Sequence, residues 1–426
     1  MNAVVPAQGV PDLAGPVPIG PCVLLKHGEV FLKGRNRHLF VERLHDNLRQ
    51  ALHGLPGSTW IKEMQNVTVV GGDAPQDELV ERARRVMGFV AVQPAVRVET
   101  SEEAIVAAAV AVLGGAAPGT TFAVRARRRH KPFPLTSTQL ERLVGARIQE
   151  AHGLPVDLTR PDIRVEVEID RKESYVSGLR HTGQGGLPVG TSGRALVLLS
   201  GGYDSPVAAH RAMRRGLRCD FVHFTGAPYT NAASAFKAYA LARELNRYQP
   251  PGKLHIVALG HAQKQLAVAG AGRFQVVGQR RLMVKAASTL ARRLRAQALV
   301  TGDALGQVAS QTLSNMALVD EAATLPVLRP LIGWEKQEII DEARRVGTAD
   351  ISVLPDEDCC QLLAPRQVSL RTKLEDVTGF ERRLDSEELI EAMLASAQIM
   401  RPGAADEGGA PVPPGPAPAA PACAAG

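Results

Sequence analysis

Arg194 to Pro206 reads Arg-Ala-Leu-Val-Leu-Leu-Ser-Gly-Gly-Tyr-Asp-Ser-Pro, and no other stretch restricts the fold as much. Ala195 to Leu199 is apolar throughout, the pattern of a strand buried on both faces, and the apolar spacing from Val207 to Arg215 is helical. Strand, tight loop and helix therefore follow one another. Gly201 and Gly202 let the backbone come close to a ligand with its N–H groups turned inward. Pro206 suits a first helical turn, whose positive end then points at the same spot. A phosphate would fit there. The loop lacks the lysine of the G-x-x-x-x-G-K-[ST] pattern and carries an acid, Asp204, in its place. An acid facing phosphate calls for a metal ion, Mg²⁺ in the first instance. Taken alone, Ser-Gly-Gly is also compatible with a bare strand-to-helix turn.

Downstream, apolar strands (Cys219 to Phe224, Leu254 to Ala258, Ala298 to Thr301) alternate with helical patterns (Ala232 to Leu245, Arg280 to Leu294). This predicts an α/β domain, a doubly wound parallel sheet, over residues 195–400. Ligands bind such a sheet beyond the carboxyl ends of its strands, where Ser200, Phe224 and Thr301 emerge. Two small α+β units are expected before it. The first, 22–75, has a strand from Cys22, a helix from His38 to Leu52 and strands at Thr59 to Lys62 and Val67 to Val70. A helix from Asp77 to Met87 follows them. The second, 76–180, has helices at Glu102 to Leu113 and Ser137 to Glu150 and strands at Thr121 to Arg125 and Ile163 to Ile169. Residues 181–194 read as a glycine-rich linker, 1–21 as a flexible extension and 401–426 as a disordered Pro/Ala-rich tail. A last helix is expected from Asp385 to about Met400.

The chain has 426 residues, 50 Lys+Arg against 43 Asp+Glu and a formal net charge of +7. That excess favours a polyanionic partner without requiring one. The longest apolar stretch, Ala104 to Leu113, is about half of a membrane span, and Met1 to Pro21 has no signal-peptide pattern. No membrane association is expected, and the cytoplasm is the expected location. Five cysteines without a C-x-x-C pair exclude a disulfide framework or a zinc site of the usual spacing. Cys22 reads as a core residue.

The densest positive run, Arg125, Arg127, Arg128, Arg129, His130 and Lys131, is expected in a loop between strand and helix. It reads either as a solvated basic loop or as a phosphate-binding edge with Phe133 for stacking. Thr121 to Arg128 together with Phe133-Pro134-Leu135-Thr136-Ser137 resembles a THUMP domain, a tRNA-binding module. His27-Gly28-Glu29 with Leu32-Lys33-Gly34-Arg35-Asn36-Arg37 resembles the ferredoxin-like domain that precedes THUMP in tRNA 4-thiouridine synthases. The resemblance implies that the pair grips the tRNA acceptor end, through Lys33, Arg35, Arg37, Arg125, Arg127, Arg128, Arg129 and Lys131.

Ser200-Gly201-Gly202-Tyr203-Asp204-Ser205 resembles the S-G-G-x-D-S signature of PP-loop ATP pyrophosphatases. Thr301 to Thr312 is close to the T-G-[ED]-x-L-G-Q-V-x-S-Q-T segment of 4-thiouridine synthases. By that resemblance Leu198, Leu199, His223 and Phe224 hold the adenine and ribose of ATP, while Arg280, Gly302 and Gln311 complete the site. Ser200, Gly201, Gly202, Asp204 and Ser205 then face the pyrophosphate. His223 alone would read as an ordinary strand histidine. Lys336, on a helix expected from Trp334 to Val346, reads as an aid to adenylation or as a surface residue.

Cys359 matches the catalytic cysteine of an E-[DY]-C segment, although Asp356, Glu357 and Asp358 beside it should raise a thiol's pKa. The family's long form ends in a rhodanese domain, which this sequence lacks. The expected activity is ATP-dependent sulfur transfer to tRNA uridine at position 8, with ATP and Mg²⁺, by adenylation of O4 and sulfur delivery at Cys359. Expected partners are tRNA, a cysteine desulfurase or other persulfide donor, and the thiamine-pathway sulfur-carrier protein. Another PP-loop tRNA thiolase or amidating enzyme, or a non-catalytic tRNA binder, are the alternatives. The sequence leaves open the sulfur donor, the oligomeric state (a homodimer included) and the resolving thiol, be it Cys360, Cys423 or an external one.

Overall fold

The computed structural model describes residues 19–355, 363, 365 and 367–403. The chain divides between Pro188 and Val189 into two compact units.

The first unit runs β1 (Gly20–His27), α1 (Arg37–Leu52), β2 (Thr59–Met64), β3 (Val67–Gly72), α2 (Gln76–Ala83) and β4 (Phe89–Glu99). It continues with α3 (Glu102–Val112), β5 (Phe122–Arg128), α4 (Ser137–His152), β6 (Ile163–Ile169), β7 (Glu173–Ser177) and β8 (His181–Thr182). Its strands form one sheet in the order β2-β3-β1-β4-β7-β6-β5, with β8 also on β4. The sequence suggested two separate sub-units; β4 joins them, because Cys22 to Lys26 pair with its first part and Val176 to Glu173 with its last.

Two apolar clusters lie between this sheet and its helices, and a third, with Leu24, Trp60, Val69 and Tyr175, is formed by the strands alone. One gathers Leu25, Leu44, Leu48, Val70, Leu79 and Phe89 under α1 and α2. The other gathers Ile105, Phe122, Leu140, Val144, Ile148 and Val165 under α3 and α4. Thr136 caps α4 in a reciprocal box with Gln139, which fixes where the basic run ends.

Two expectations change here. Arg125 to Arg128 lie in β5 rather than in a loop, since β5 continues to pair with β6 as far as Arg128↔Ile169. Phe133 is 7% exposed and packs into the α3/α4 cluster, so its ring is not offered to a base.

The second unit runs β9 (Arg194–Leu198), α5 (Asp204–Arg214), β10 (Arg218–Thr225), α6 (Ala233–Leu245), β11 (Leu254–Ala258), α7 (Gly260–Val268) and α8 (Gln275–Arg293). Then come β12 (Ala298–Val300), α9 (Leu313–Glu321), β13 (Val327–Leu328), α10 (Lys336–Val346) and α11 (Ala349–Ser352). The unit closes with α12 (Leu374–Glu381), α13 (Ser386–Ala395) and β14 (Gln398–Met400). The sheet order is β13-β12-β9-β10-β11-β14. All pairs are parallel except β11 with β14.

The last expected helix therefore stops at Ala395. Residues 398–400 instead cover the open edge of β11, and the Asn246 amide donates to the Pro402 carbonyl at 2.8 Å beyond them. Leu196, Val222, Val257 and Leu299 from four strands meet Val277, Val284 and Ala287 of α8 in one core. The chain builds outward from β9 to β10 and β11, then returns to β12 on the other side of β9. The crevice at that switch point opens at the end of β9, where ligands of doubly wound sheets bind.

Candidate active site

The loop between β9 and α5 is held from within. Ser205 Oγ accepts from the Ser200 N–H at 2.8 Å and lies 3.0 Å from Ser200 Oγ, closing a ring of two hydroxyls across the turn. Leu199 N–H donates to the Val222 carbonyl at 2.8 Å, and Ser352 Oγ donates to the Gly202 carbonyl at 3.3 Å. A Cβ on Gly302 would sit 2.5 Å from Ser205 N and 2.7 Å from the Asp204 carbonyl carbon. Only glycine lets the end of β12 press against this loop. The eleven residues of α5 direct the positive end of their dipole to the same place.

Asp204 is gripped from two sides: Lys336 Nζ at 2.6 Å and Gln307 Nε2 at 2.8 Å. Lys336 opens α10 and also lies 5.6 Å from the centre of the Tyr203 ring. It thus joins the loop rather than standing as an isolated surface charge. The two helices are tied further along, where Glu342 accepts from Arg345 at 2.7 Å and pairs with Arg211 at 3.0 Å. Burial raises the Glu342 pKa, but the Arg345 bond and Arg211 outweigh it and keep the carboxyl below its usual value. The Arg211 guanidinium also stacks 4.3 Å over the Trp334 ring, just ahead of Lys336.

Arg280 and Gln311 meet on a residue that the sequence reading passed over. Asp303, 3% exposed, receives Arg280, Gln311 Nε2 at 3.2 Å, Thr301 Oγ1 at 2.8 Å and Arg329 Nε at 3.2 Å. Burial pushes the Asp303 pKa up, yet Arg280 first, then Thr301 and Arg329, hold it down at about 2. Asp303 and Gln307 both lie in the Thr301 to Thr312 segment; an acid directly after a strand-end glycine was the available signal.

Leu198, Leu199, His223 and Phe224 lie on adjacent strand ends, with Leu198 paired to Val222. Leu199 and Phe224 are 2% and 3% exposed. Their side chains belong to the core, and what they offer a ligand is backbone. His223 Nδ1–H donates to the Leu199 carbonyl at 2.8 Å and so ties β10 to the start of the loop. Cys359, with Cys360 and Cys423, lies outside the described residues. The other two described cysteines, Cys22 and Cys219, are fully buried, and burial pushes the Cys22 thiol up to about 12.

In the first unit Arg35, Arg125, Arg127 and Lys131 are exposed. Lys33 lies 4.9 Å over the Phe40 ring, and Arg37 begins α1. Arg125 donates to the Leu158 carbonyl at 3.0 Å, and Arg128 donates to Lys131 and Phe133 carbonyls, shaping the turn after β5. Arg129 differs: its side chain is 8% exposed and pairs with Glu168 at 2.7 Å. Lys26, Arg125, Arg127 and Arg180 line a cavity of about 280 Å³ together with Glu166 and Glu168.

Comparison with known proteins gives three family matches: the ThiI ferredoxin-like domain over residues 22–92, the THUMP domain over 99–178, and the thiamine biosynthesis protein ThiI over 190–385. A probable tRNA sulfurtransferase of Nocardia farcinica is 55% identical over 391 residues, spanning 90% of this chain and 95% of that protein. One from Thermus thermophilus is 42% identical over 375 residues, spanning 87% and 91%. Among solved structures, a 4-thiouridine synthetase in complex with RNA and bound ATP is 28% identical with a TM-score of 0.82, covering 90% of this chain and all of that one.

Proposed function

The chain belongs to the ThiI family of tRNA sulfurtransferases, and from that premise we propose that it converts a tRNA uridine, at position 8, to 4-thiouridine at the expense of ATP. The observation that carries this reading is the loop from Ser200 to Ser205, with a helix N-terminus behind it and Asp204 facing Lys336 and Gln307. Uridine O4 attacks the α-phosphorus of ATP and pyrophosphate leaves. The terminal sulfur of a persulfide then attacks C4 and AMP departs with the old oxygen; a second thiol attacks the carrier sulfur and breaks the S–S bond, leaving a disulfide and the thiolated base.

Loop N–H groups and the α5 terminus receive the pyrophosphate, and Lys336 offsets charge that builds on the leaving group. Arg280 contributes a fixed positive charge from α8. The ends of β9 and β10 supply backbone for the base.

Among the described residues no cluster of three or more His, Cys, Asp or Glu could hold a metal by itself. Mg²⁺ held by one carboxylate together with nucleotide phosphates fits the Asp204 position. When bound it would neutralise the pyrophosphate leaving group. Cys359 carries or receives the sulfur. Ser352, seven residues before Cys359, touches the loop at Gly202, and seven residues span at most about 25 Å.

The exposed cations Arg35, Arg125, Arg127 and Lys131, with the half-buried Lys33 and Arg37, hold the tRNA backbone, and Arg128 shapes that face. A cysteine desulfurase or another persulfide donor supplies sulfur, and the reaction takes place in the cytoplasm. No helix among the described residues is long and apolar enough to cross a membrane. The family's link to thiamine biosynthesis favours a second acceptor, the sulfur-carrier protein of that pathway.

Mass spectrometry of nucleosides tests the reading, using tRNA incubated with the protein, Mg-ATP and a sulfide source. Wild type should yield 4-thiouridine and Asp204→Ala none. Cys359→Ser reports whether that thiol is needed when sulfide is free. Absence of thiolated base with wild type and a competent persulfide donor would overturn the proposal.

A further inference from the structure

Asp303 is ionised and has four donors around it, and an ionised carboxylate can only accept. The Gln311 group facing it at 3.2 Å must therefore be the NH₂ end of the carboxamide. Its orientation is dictated by chemistry and leaves Oε1 pointing away. Gln311 is 7% exposed, and Oε1 has no hydrogen-bond partner among the described residues. The Gln311 backbone is already committed: its N–H donates to the Val308 carbonyl at 2.8 Å, and its carbonyl accepts from Gly306 at 2.9 Å. A buried acceptor left without a partner is costly, so this oxygen calls for a donor from outside the fold. Gln311 is tied to the loop through Asp303, whose neighbour Gly302 presses against Ser205 N.

We propose that Asp303 is a positioning residue of the nucleotide site, anchoring Arg280 and fixing the Gln311 carboxamide so that Gln311 Oε1 accepts a hydrogen bond from the nucleoside of the bound nucleotide. The inference rests on the ATP-dependent reading above. Two groups of ATP have the required chemistry: the exocyclic amine of the base and the ribose hydroxyls. Arg329 holds the far side of Asp303 and is itself braced by Asp320 at 2.7 Å, so the carboxylate cannot swing toward Arg280 alone. The low pKa of Asp303 keeps this arrangement charged throughout the range in which the protein works.

The test is calorimetric binding of Mg-ATP and of three analogues: purine riboside triphosphate, which lacks the amine, and the 2′-deoxy and 3′-deoxy forms of ATP. Wild type, Asp303→Asn and Gln311→Met are compared, each with its melting temperature. Wild type should bind one analogue about tenfold more weakly than ATP, and which one identifies the donor. That preference should vanish in Gln311→Met. In Asp303→Asn it should shrink, and ATP itself should bind about tenfold more weakly, because an asparagine can present either end to Gln311.

Equal binding of all four nucleotides by wild type overturns the acceptor role, as does a preference that survives in Gln311→Met. An Asp303→Asn protein that melts early but binds ATP normally overturns the positioning role and leaves a structural one. If Asp303→Asn does not fold, Asp303→Glu replaces it. Failure of wild type to bind Mg-ATP at all overturns the functional reading, and the inference with it.

Discussion

The two units hold positive charge in opposite ways. In the first, Arg125, Arg127 and Lys131 stand exposed on or after β5, steered at most by backbone carbonyls. In the second, Arg280 and Arg329 share the buried Asp303, and Lys336 sits on Asp204. Exposed cations act as a field: they attract a polyanion of any sequence, release counterions and lose strength in salt. Cations locked on carboxylates lose long-range reach but acquire a fixed direction, which suits a reaction whose charge develops at one place. A chain that must hold a large tRNA and also act on one of its atoms has use for both.

The largest expected effect breaks the second arrangement and spares the first. Asp204→Ala removes the partner of Lys336 and Gln307 at the loop, and thiolation should fall by about a thousandfold. Lys336→Met leaves Asp204 in place and should cost about a hundredfold. Both should bind tRNA as wild type does in a filter or fluorescence assay. A parallel loss of tRNA affinity would mean that the two kinds of charge are not separable.

Gly302→Ala comes next, because its Cβ would lie 2.5 Å from Ser205 N and 2.7 Å from the Asp204 carbonyl carbon, backbone atoms that cannot swing aside as a side chain would. Overpacking of this kind costs about 1–3 kcal/mol. The melting temperature of the second unit should fall and Mg-ATP should bind more weakly, with the first unit's melting unchanged. A protein with normal ATP affinity would show that the loop can shift without harm.

These sites were legible to different depths for physical reasons. The loop from Ser200 to Ser205 could be read because strand, glycines, proline and helix are all local signals. Asp303 could not, since its partners Arg280 and Arg329 come from other elements and are joined only by the fold. β4 escaped because Pro94 interrupts an otherwise strand-like run, and proline is rare within sheets. Here it fits because β4 leaves β8 after Val92 and meets β7 only from Val96; in that gap Ser177 Oγ donates to the Pro94 carbonyl at 2.7 Å. The side of the strand that carries the proline nitrogen asks for no ladder bond. β14 escaped because Gln398-Ile399-Met400 continues a helical apolar spacing, and only the uncovered edge of β11 makes it a strand.

Below these in size, pH should act on both units alike through buried histidines. Burial first, then His45 and Arg37, holds the His27 pKa down at about 4; burial and then Arg345 hold that of His210 at about 3. In the unfolded chain both titrate near pH 6.5. Between those values the unfolded state binds a proton that the folded state refuses, so stability falls as pH drops. The contribution is complete above about pH 6.5, and each histidine should account for about 2 kcal/mol of loss by pH 5. Melting curves at pH 7.5 and 5.0 check this. Equal stability at the two would mean that neither ring is held neutral.

The smallest effect sharpens the comparison most, because it sets two neighbours in β5 and the turn after it against each other. Arg127 is exposed, whereas Arg129 is tucked onto Glu168, which is 4% exposed and also pairs with Lys26. Arg127→Gln should leave melting unchanged and weaken tRNA binding a fewfold. The slope of log affinity against log salt should become shallower by about 0.7 to 0.9, the contribution of one phosphate contact. Arg129→Gln should do the reverse: it strips a buried carboxylate of one of its two cations, which destabilises, while the salt slope stays near that of wild type. If both substitutions flatten the slope equally, Arg129 reaches the RNA after all, and the division between charges that bind and charges that build would have to be redrawn within the first unit.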